Sequence, residues 1–463
     1  MGIDQVKRKP AFEGATLRAV LAIALLAALS SPGTAHAADA ECGVTDSGIP
    51  DDVFAPIDVA HTRKSLADVG IGLGGFYVGE AFTNTGGIKQ GGKYDGVLTL
   101  YLDADLKKMG LWKGLCLSAS AFQIHGQSIT ADNIGSLMPV SNLEATPATR
   151  LFELWLEQHM FDSVLAVKFG QLAADQEFIL SNSYSYFLNG TFGWPSIAAH
   201  DLPGGGPAYP LATPGVRVAI RPNDQFKLMI GAYNGDPANP NCANDNPQAC
   251  NSNGLDFSLD SPALLMIEGS YKYNRSGQLP GTIKVGGWNH FGSFPDQRLD
   301  SDDLPIAATL NPGRPIDGDW GIYSIIDQLV WRSPGSEDAK GIGLFGRIIG
   351  APSAQNLVDF YAEGGITFSG MIPHRADDSL GIGFAYTGIS DRVHGFDLHA
   401  GLPVAQTHEA VLEICYTAQL KPGWKLQPDL QYSWQPGGNV PDPSGNGAVE
   451  NAAVVGVRTT INF

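Results

Sequence analysis

Between residues 70 and 463 the sequence alternates apolar and polar side chains with a period of two. Leu98, Leu100 and Leu102 alternate with Thr99, Tyr101 and Asp103, and Val216, Val218 and Ile220 with Arg217 and Arg221. Phe152, Leu154, Leu156 and Met160 alternate with Glu153, Trp155, Glu157 and His159, and Leu412, Ile414 and Tyr416 with Glu413 and Cys415. Such a pattern belongs to strands with one apolar and one polar face. Sixteen of them are expected, at 70–82, 95–105, 115–125, 149–161, 164–171, 215–221, 225–233, 264–273, 281–291, 319–332, 341–350, 358–369, 379–389, 409–419, 424–434 and 452–463. The tenth, DWGIYSIIDQLVW, shows no clean parity. Short links such as KKMGLWKG, DS, PND and KPG take turns with longer ones of up to about forty residues. Short turns at one end and long loops at the other form the pattern of a bacterial outer-membrane barrel. The fold expected is all-β, a transmembrane antiparallel β-barrel of about 16 strands. A soluble sandwich or propeller needs no such alternation of loop length, and no internal repeat of 20–50 residues is present.

Composition agrees. Charged residues are 16% of the chain, against about 25% in ordinary domains, and 57 residues are Gly. The net charge of −18 excludes a basic nucleic-acid-binding surface. After residue 37 no run reaches the eighteen apolar residues of a membrane helix. Residues 1–37 read as a signal peptide: Lys7, Arg8, Lys9 and Arg18 precede or flank an apolar run at 19–29, and Ala35-His36-Ala37 is a cleavage site. The mature chain is expected to start at Ala38, and no lipobox precedes Cys42. Residues 38–69 are read as a periplasmic N-terminal segment ending in one helix, and 70–463 as the barrel.

Five cysteines remain after cleavage. Cys242 and Cys250 flank a short polar loop, which in an oxidising compartment reads as a disulfide; a metal site there lacks a nearby His and a full ligand set. Cys42, Cys116 and Cys415 cannot be paired from sequence.

One connection stands apart. Residues 172–215 form a loop of about forty residues carrying Phe178, Tyr184, Tyr186, Phe187, Phe192, Trp194 and Tyr209. Disordered segments are poor in aromatics, so this loop is expected to be ordered, to fold into the barrel lumen and to narrow it. By parity the inward face carries Glu153, Trp155, Glu157, Lys168, Arg217, Arg347, Asp429 and Gln431. Both charge signs are present, whereas an ion-selective pore carries mostly one. Mixed charge with Gln, Tyr and Trp suits neutral solutes rich in hydroxyl groups. Asn189, Phe192 and Trp194 of the loop are expected to face Glu153, Trp155 and Arg217 and form the constriction.

No GxSxG, HExxH or phosphate-binding loop occurs, and no cofactor or metal is expected. His125, His159 and His290 lie on strands without a nucleophile motif, and Glu153 and Glu157 sit about 13 Å apart on one strand face, too far for a glycosidase pair.

The segments RLFELWLEQ at 150–158, FLNGTFGWP, GGPAYPLATPGVR, NGDPA at 234–238 and the C-terminal LEICYTAQLKPGWKLQPDLQYSWQPGG…NAAVVGVRTTINF resemble the OprB-type carbohydrate-selective porins. The resemblance spans roughly residues 65–463. It implies facilitated diffusion of sugars, monosaccharides such as glucose, through a water-filled channel in the bacterial outer membrane. It implies as partners small neutral sugars, outer-membrane lipid and lipopolysaccharide, and the barrel assembly machinery, with no nucleic acid. A general-diffusion or organic-ion porin of the same architecture is the alternative, and a barrel hydrolase a more distant one.

Overall fold

The computed structural model describes Cys42, Val44 and residues 59–239, 241–244, 246–274, 279–333, 340–445 and 447–463. The signal peptide and the mature start at Ala38 lie outside the described residues, as does most of the segment 38–58. The described chain forms one closed antiparallel barrel of sixteen strands, each paired with its sequence neighbours and β1 closing on β16. The strands are β1 Ile71–Gly87, β2 Gly91–Asp105, β3 Leu115–Gly126, β4 Ala148–Met160, β5 Leu165–Leu172, β6 Thr213–Ile220, β7 Phe226–Asn234, β8 Ala263–Tyr273, β9 Gly281–Asp300, β10 Gly313–Arg332, β11 Gly341–Gly350, β12 Val358–Ser369, β13 Ser379–Ile389, β14 His408–Lys421, β15 Trp424–Trp434 and β16 Glu450–Asn462. The seam is in register, with Glu80 opposite Arg458 and Tyr77 opposite Ile461.

The two faces separate as the alternation dictates. Val216 is 46% exposed and its neighbour Arg217 only 3%. Leu100, Phe169, Val285, Ile322, Ile348, Phe384, Leu430 and Val455 form an exposed apolar band around the outside. Side chains pointing inward are buried by one another and by the inserted loop.

Three details depart from the expected pattern. Phe152 was expected to face outward with Leu154. It is 4% exposed and packs inside against Phe122 and Tyr209, with ring centroids 4.7 Å and 6.3 Å away. The pairing of β3 with β4 shifts between Ala119 and Ala121, so that Phe152 and Glu153 together face the single residue Ser120. Such a bulge breaks the two-residue period and turns both side chains inward. The tenth strand does keep parity: Trp320, Ile322 and Ile326 are exposed, while Asp319, Tyr323, Ile325 and Asp327 are buried. Ile325 disguised the pattern because the inward face there is covered by protein, not water. The β9–β10 hairpin extends well beyond the expected ends at 291 and 319, and register shifts near Pro315 and Asp317 mark where alternation lapses.

At the short-turn end, the helix Val59–Asp68 leads into β1. Cys42 is disulfide-bonded to Cys116 of β3, 74 residues away, which staples the N-terminal segment to the barrel base. Val44 is 1% exposed there. Cys242 and Cys250 also form a disulfide. Cys415 is free and buried.

Candidate functional site: a loop-lined channel

The loop at 173–212 enters the barrel between β5 and β6. No strand of its own holds it, so its backbone groups need partners from the wall, and wall side chains supply them. Four inward carboxylates accept loop N–H groups: Glu153 from Ala173 at 3.0 Å, Glu268 from Ile179 at 3.1 Å, Asp327 from Asn182 at 3.0 Å, and Glu413 from Leu188 at 2.6 Å and Asn189 at 3.1 Å. Two wall cations take loop carbonyls. Arg347 on β11 donates to Ile179 O at 2.5 Å, Thr191 O at 2.7 Å, Gly193 O at 3.0 Å and Phe192 O at 3.3 Å. It also pairs with Glu363 of β12 at 2.6 Å, and both side chains have zero exposure. Lys284 donates to Leu180 O at 2.5 Å.

Packing completes the anchor. Phe187 and Phe192 stack with centroids 4.3 Å apart and meet Phe345 of β11. Their rings rest on β13 where a side chain is missing. A Cβ at Gly383 would lie 2.7 Å from Phe192 Cζ, and one at Gly381 2.9 Å from Phe187 Cε1. Glycine is required here for close approach rather than for turn geometry.

The expected site residues therefore fall into two groups. Glu153, Trp155, Glu157, Lys168 and Arg217 do come together, on β4, β5 and β6. Lys168 stands opposite Glu157 on one side and Arg217 on the other. Arg217 Nη1 donates to Glu157 at 2.9 Å, and Lys168 Nζ lies 4.2 Å from the centroid of the Trp155 ring. Two adjacent cations are held by a loop residue that sequence reading missed, Glu177. Lys168 donates to it at 2.5 Å, and Arg217 through Nη2 at 2.8 Å and also through Nε. Burial would raise the Glu177 carboxyl, but Lys168 and Arg217 outweigh that and hold it down at about 2. Its neighbour Asp175, which accepts from Tyr209 N at 2.8 Å, is lifted by burial to about 6.

The second group lies on the other side of the lumen and is buried. Asn189 and Phe192 were expected at the opening, facing Glu153, Trp155 and Arg217. Both are 1% exposed and face β11–β15 instead. Asn189 donates to Gln431 at 2.9 Å, and Gln431 donates to Asp429 at 2.8 Å. Arg347 is likewise 1% exposed, a clamp on the loop and not a channel-lining cation. The glycine shelf and the backbone demand of the loop pull these residues to the wall. Trp194 is half-buried, its Nε1 donating within the loop to Gly205 O at 3.0 Å. The loop face left to solvent is polar: Gln176, Asn182, Tyr184 and Ser185. At the short-turn end a cavity of about 780 Å³ opens beneath Ser185 and Tyr186, lined by Lys340, Asp377, Asp378, Gln419, Lys421, Lys425 and Gln427 among others.

The three histidines are dispersed. His125 is on the outer face near Tyr77, His159 is 3.9 Å from Glu157, and His290 donates to Gly235 O at 3.2 Å.

A closed, even-stranded barrel with an apolar exterior and a polar lumen narrowed by an inserted loop is an outer-membrane porin. The model of the carbohydrate-selective porin, OprB family matches residues 89–463, and the chain belongs to that family. It is a channel of the bacterial outer membrane, not an enzyme. It is 26% identical over 476 residues to Porin B of Pseudomonas aeruginosa, an alignment covering 96% of this chain and 98% of that protein. It is 23% identical to the putative porin QuiX of Acinetobacter baylyi, covering 88% of this chain and 92% of that one. The high-pH structure of Pseudomonas putida OprB shares the fold, with a TM-score of 0.76 at 23% identity over 88% of this chain and 97% of that one.

Proposed function

We propose that this porin passes small neutral sugars of monosaccharide size, such as glucose, and that selection occurs between the loop edge and the β4–β6 wall. The observation that carries this reading is the rung of Glu157, Lys168, Arg217 and Glu177. Its charges are mutually paired, so the rung presents donors and acceptors without a strong field of either sign, beside the indole face of Trp155. Paired charges do not reject an uncharged solute, and an aromatic face suits the apolar side of a sugar ring. Affinity at such a site is weak. A dissociation constant of about 1 mM, roughly −4 kcal/mol, with association near 10⁷ M⁻¹s⁻¹, gives a residence of about 0.1 ms. Micromolar binding would lengthen it about a thousandfold and throttle flux, since conduction requires binding loose enough to leave.

In the same reading, residues 1–37 are removed on export and residues 38–69 stay in the periplasm. The outer apolar band meets outer-membrane lipid and lipopolysaccharide, and the alternating strand β16 serves the barrel assembly machinery. The test is liposome swelling with glucose, larger oligosaccharides, amino acids and salts in parallel. Glucose should permeate faster than amino acids of equal size. Equal rates for both would make this a general-diffusion pore.

A further inference from the structure

Cys415 has no disulfide partner; Leu188, Val140 and Val454 pack in the same buried cluster, but two carboxylates also stand beside the thiol. It stands opposite Asp429 on the next strand, and Glu413 precedes it by two on the same inward face. One ligand atom from each of the three lies within 4.8 Å of the others. All are enclosed: Glu413 is 0% exposed, Cys415 1% and Asp429 4%. A second observation points to a missing partner. Asp429 Oδ1 is buried and meets no amide, hydroxyl or cation; only the carboxyl of Glu413 is within reach of Asp429, while Oδ2 already takes Gln431. Two buried carboxyls in contact cannot both stay bare anions and must share a proton or a cation. The residue facing it on β16 is Gly456, which has no side chain to donate, and the nearby Arg458, opposite Gln427, is committed elsewhere, to Glu80, Ser141 and Asn142.

We infer that Glu413, Cys415 and Asp429 form a binding site for a thiophilic divalent cation, with zinc as the best match. A thiolate with two carboxylates excludes magnesium and calcium, which take oxygen ligands only, and suits zinc. Zinc legs of about 2.0–2.3 Å place ligand atoms about 3.5 Å apart, so the side chains need to close in by about 1 Å. Binding displaces the thiol proton to solvent as the Zn–S bond forms. Entry is from the short-turn end. Gln427 lies 4.0 Å from Cys415 Sγ and lines the 780 Å³ cavity, so one side chain separates the site from open water. Glu413 also holds Leu188 N and Asn189 N. Metal occupancy is thereby tied to the part of the channel loop that crosses to β14.

Cobalt(II) is the probe, added to the full barrel in detergent. The other four cysteines are in disulfides, so a thiolate-to-cobalt charge-transfer band in the near ultraviolet reports on Cys415 alone. The band should appear, vanish on adding zinc, and be absent in Cys415→Ser. Asp429→Asn, which preserves shape, should weaken cobalt binding at least tenfold while the circular dichroism spectrum stays that of a β-barrel. No band at millimolar cobalt in the folded wild type overturns the site. A band that Asp429→Asn leaves at full affinity overturns it as well, since it would report a lone thiol.

Discussion

Replacing Arg347 with Ala removes the cation that holds most of the cation-bound carbonyls of the loop, leaving only Lys284 on Leu180 O. The side chain makes four bonds to the loop and one to Glu363, all with zero side-chain exposure. Each charge-assisted bond is worth about 1.5–3 kcal/mol in isolation, but they share one group and do not add. The better guide is the cost of breaking a buried pair and stranding its partner, about 3–5 kcal/mol. Taking about 4 kcal/mol, the balance between docked and undocked loop moves by roughly a thousandfold. The sixteen-stranded ladder does not depend on this residue, so the loss should fall on the loop and not on the barrel. In proteoliposomes the swelling rate for a trisaccharide relative to glucose should rise several-fold, and amides near Thr191 should lose hydrogen-exchange protection. Arg347→Met combined with Glu363→Gln removes the stranded carboxylate and should restore part of the exclusion. If Arg347→Ala keeps both the size cut-off and the exchange protection, the loop is held by its aromatic packing and the clamp is incidental.

Arg217→Ala removes one of the two cations that hold Glu177 and should shift ion selectivity toward cations, whereas Glu177→Gln should shift it toward anions; reversal potentials in a salt gradient read both. Glu177 is held at about 2, below its ordinary value, so its stabilisation is complete above about pH 4.5 and is lost as pH falls toward 2. Asp175, raised to about 6, should lose its charge between pH 7 and 5, giving a selectivity step that Asp175→Asn abolishes. Gly383→Val forces a side chain into the space of Phe192, whose Cζ would lie 2.7 Å from the new Cβ, and should widen the pore without unfolding the barrel. Non-reducing peptide mapping should find Cys42 joined to Cys116, Cys242 joined to Cys250, and one alkylatable thiol; a mass shift on both Cys242 and Cys250 without reductant refutes their pairing.

Most of the architecture could be read from the chain because a membrane barrel puts one face of each strand in lipid. That makes alternation obligatory wherever a strand spans, and Val216 beside Arg217 shows it plainly. The reading weakened where a strand faces protein on the inside, as at Ile325, or where a bulge shifts the period, as at Phe152. The site was only half legible. Parity brought Glu153, Glu157, Lys168 and Arg217 to one wall, because neighbouring strands share a register. Parity says that Arg347 and Gln431 point inward but not what they meet. Their partners are backbone atoms of a loop, and backbone atoms leave no mark in sequence. Glu177 looked like any loop acid; a hint was its place nine residues after Lys168, close enough for the chain to fold back. The pairing of Cys42 with Cys116 rests on tertiary proximity alone.

The barrel wall is uneven. β5 and β6 have eight residues each and β7 has nine, against twenty in β9 and β10. At about 3.3 Å per residue and a tilt of about 40°, eight residues rise about 20 Å, less than an apolar band of about 25 Å. Part of the shortfall is met by the loop after β7, whose exposed Phe257 and Leu259 border the same outer groove as Leu154, Phe169 and Val216. The remainder falls on the membrane. Acyl chains beside β5–β7 must shorten or tilt relative to those beside β9 and β10. The porin thus carries a dimple in the surrounding leaflet on the same flank as the Lys168–Arg217 rung, and a bilayer of longer acyl chains would press on that flank first.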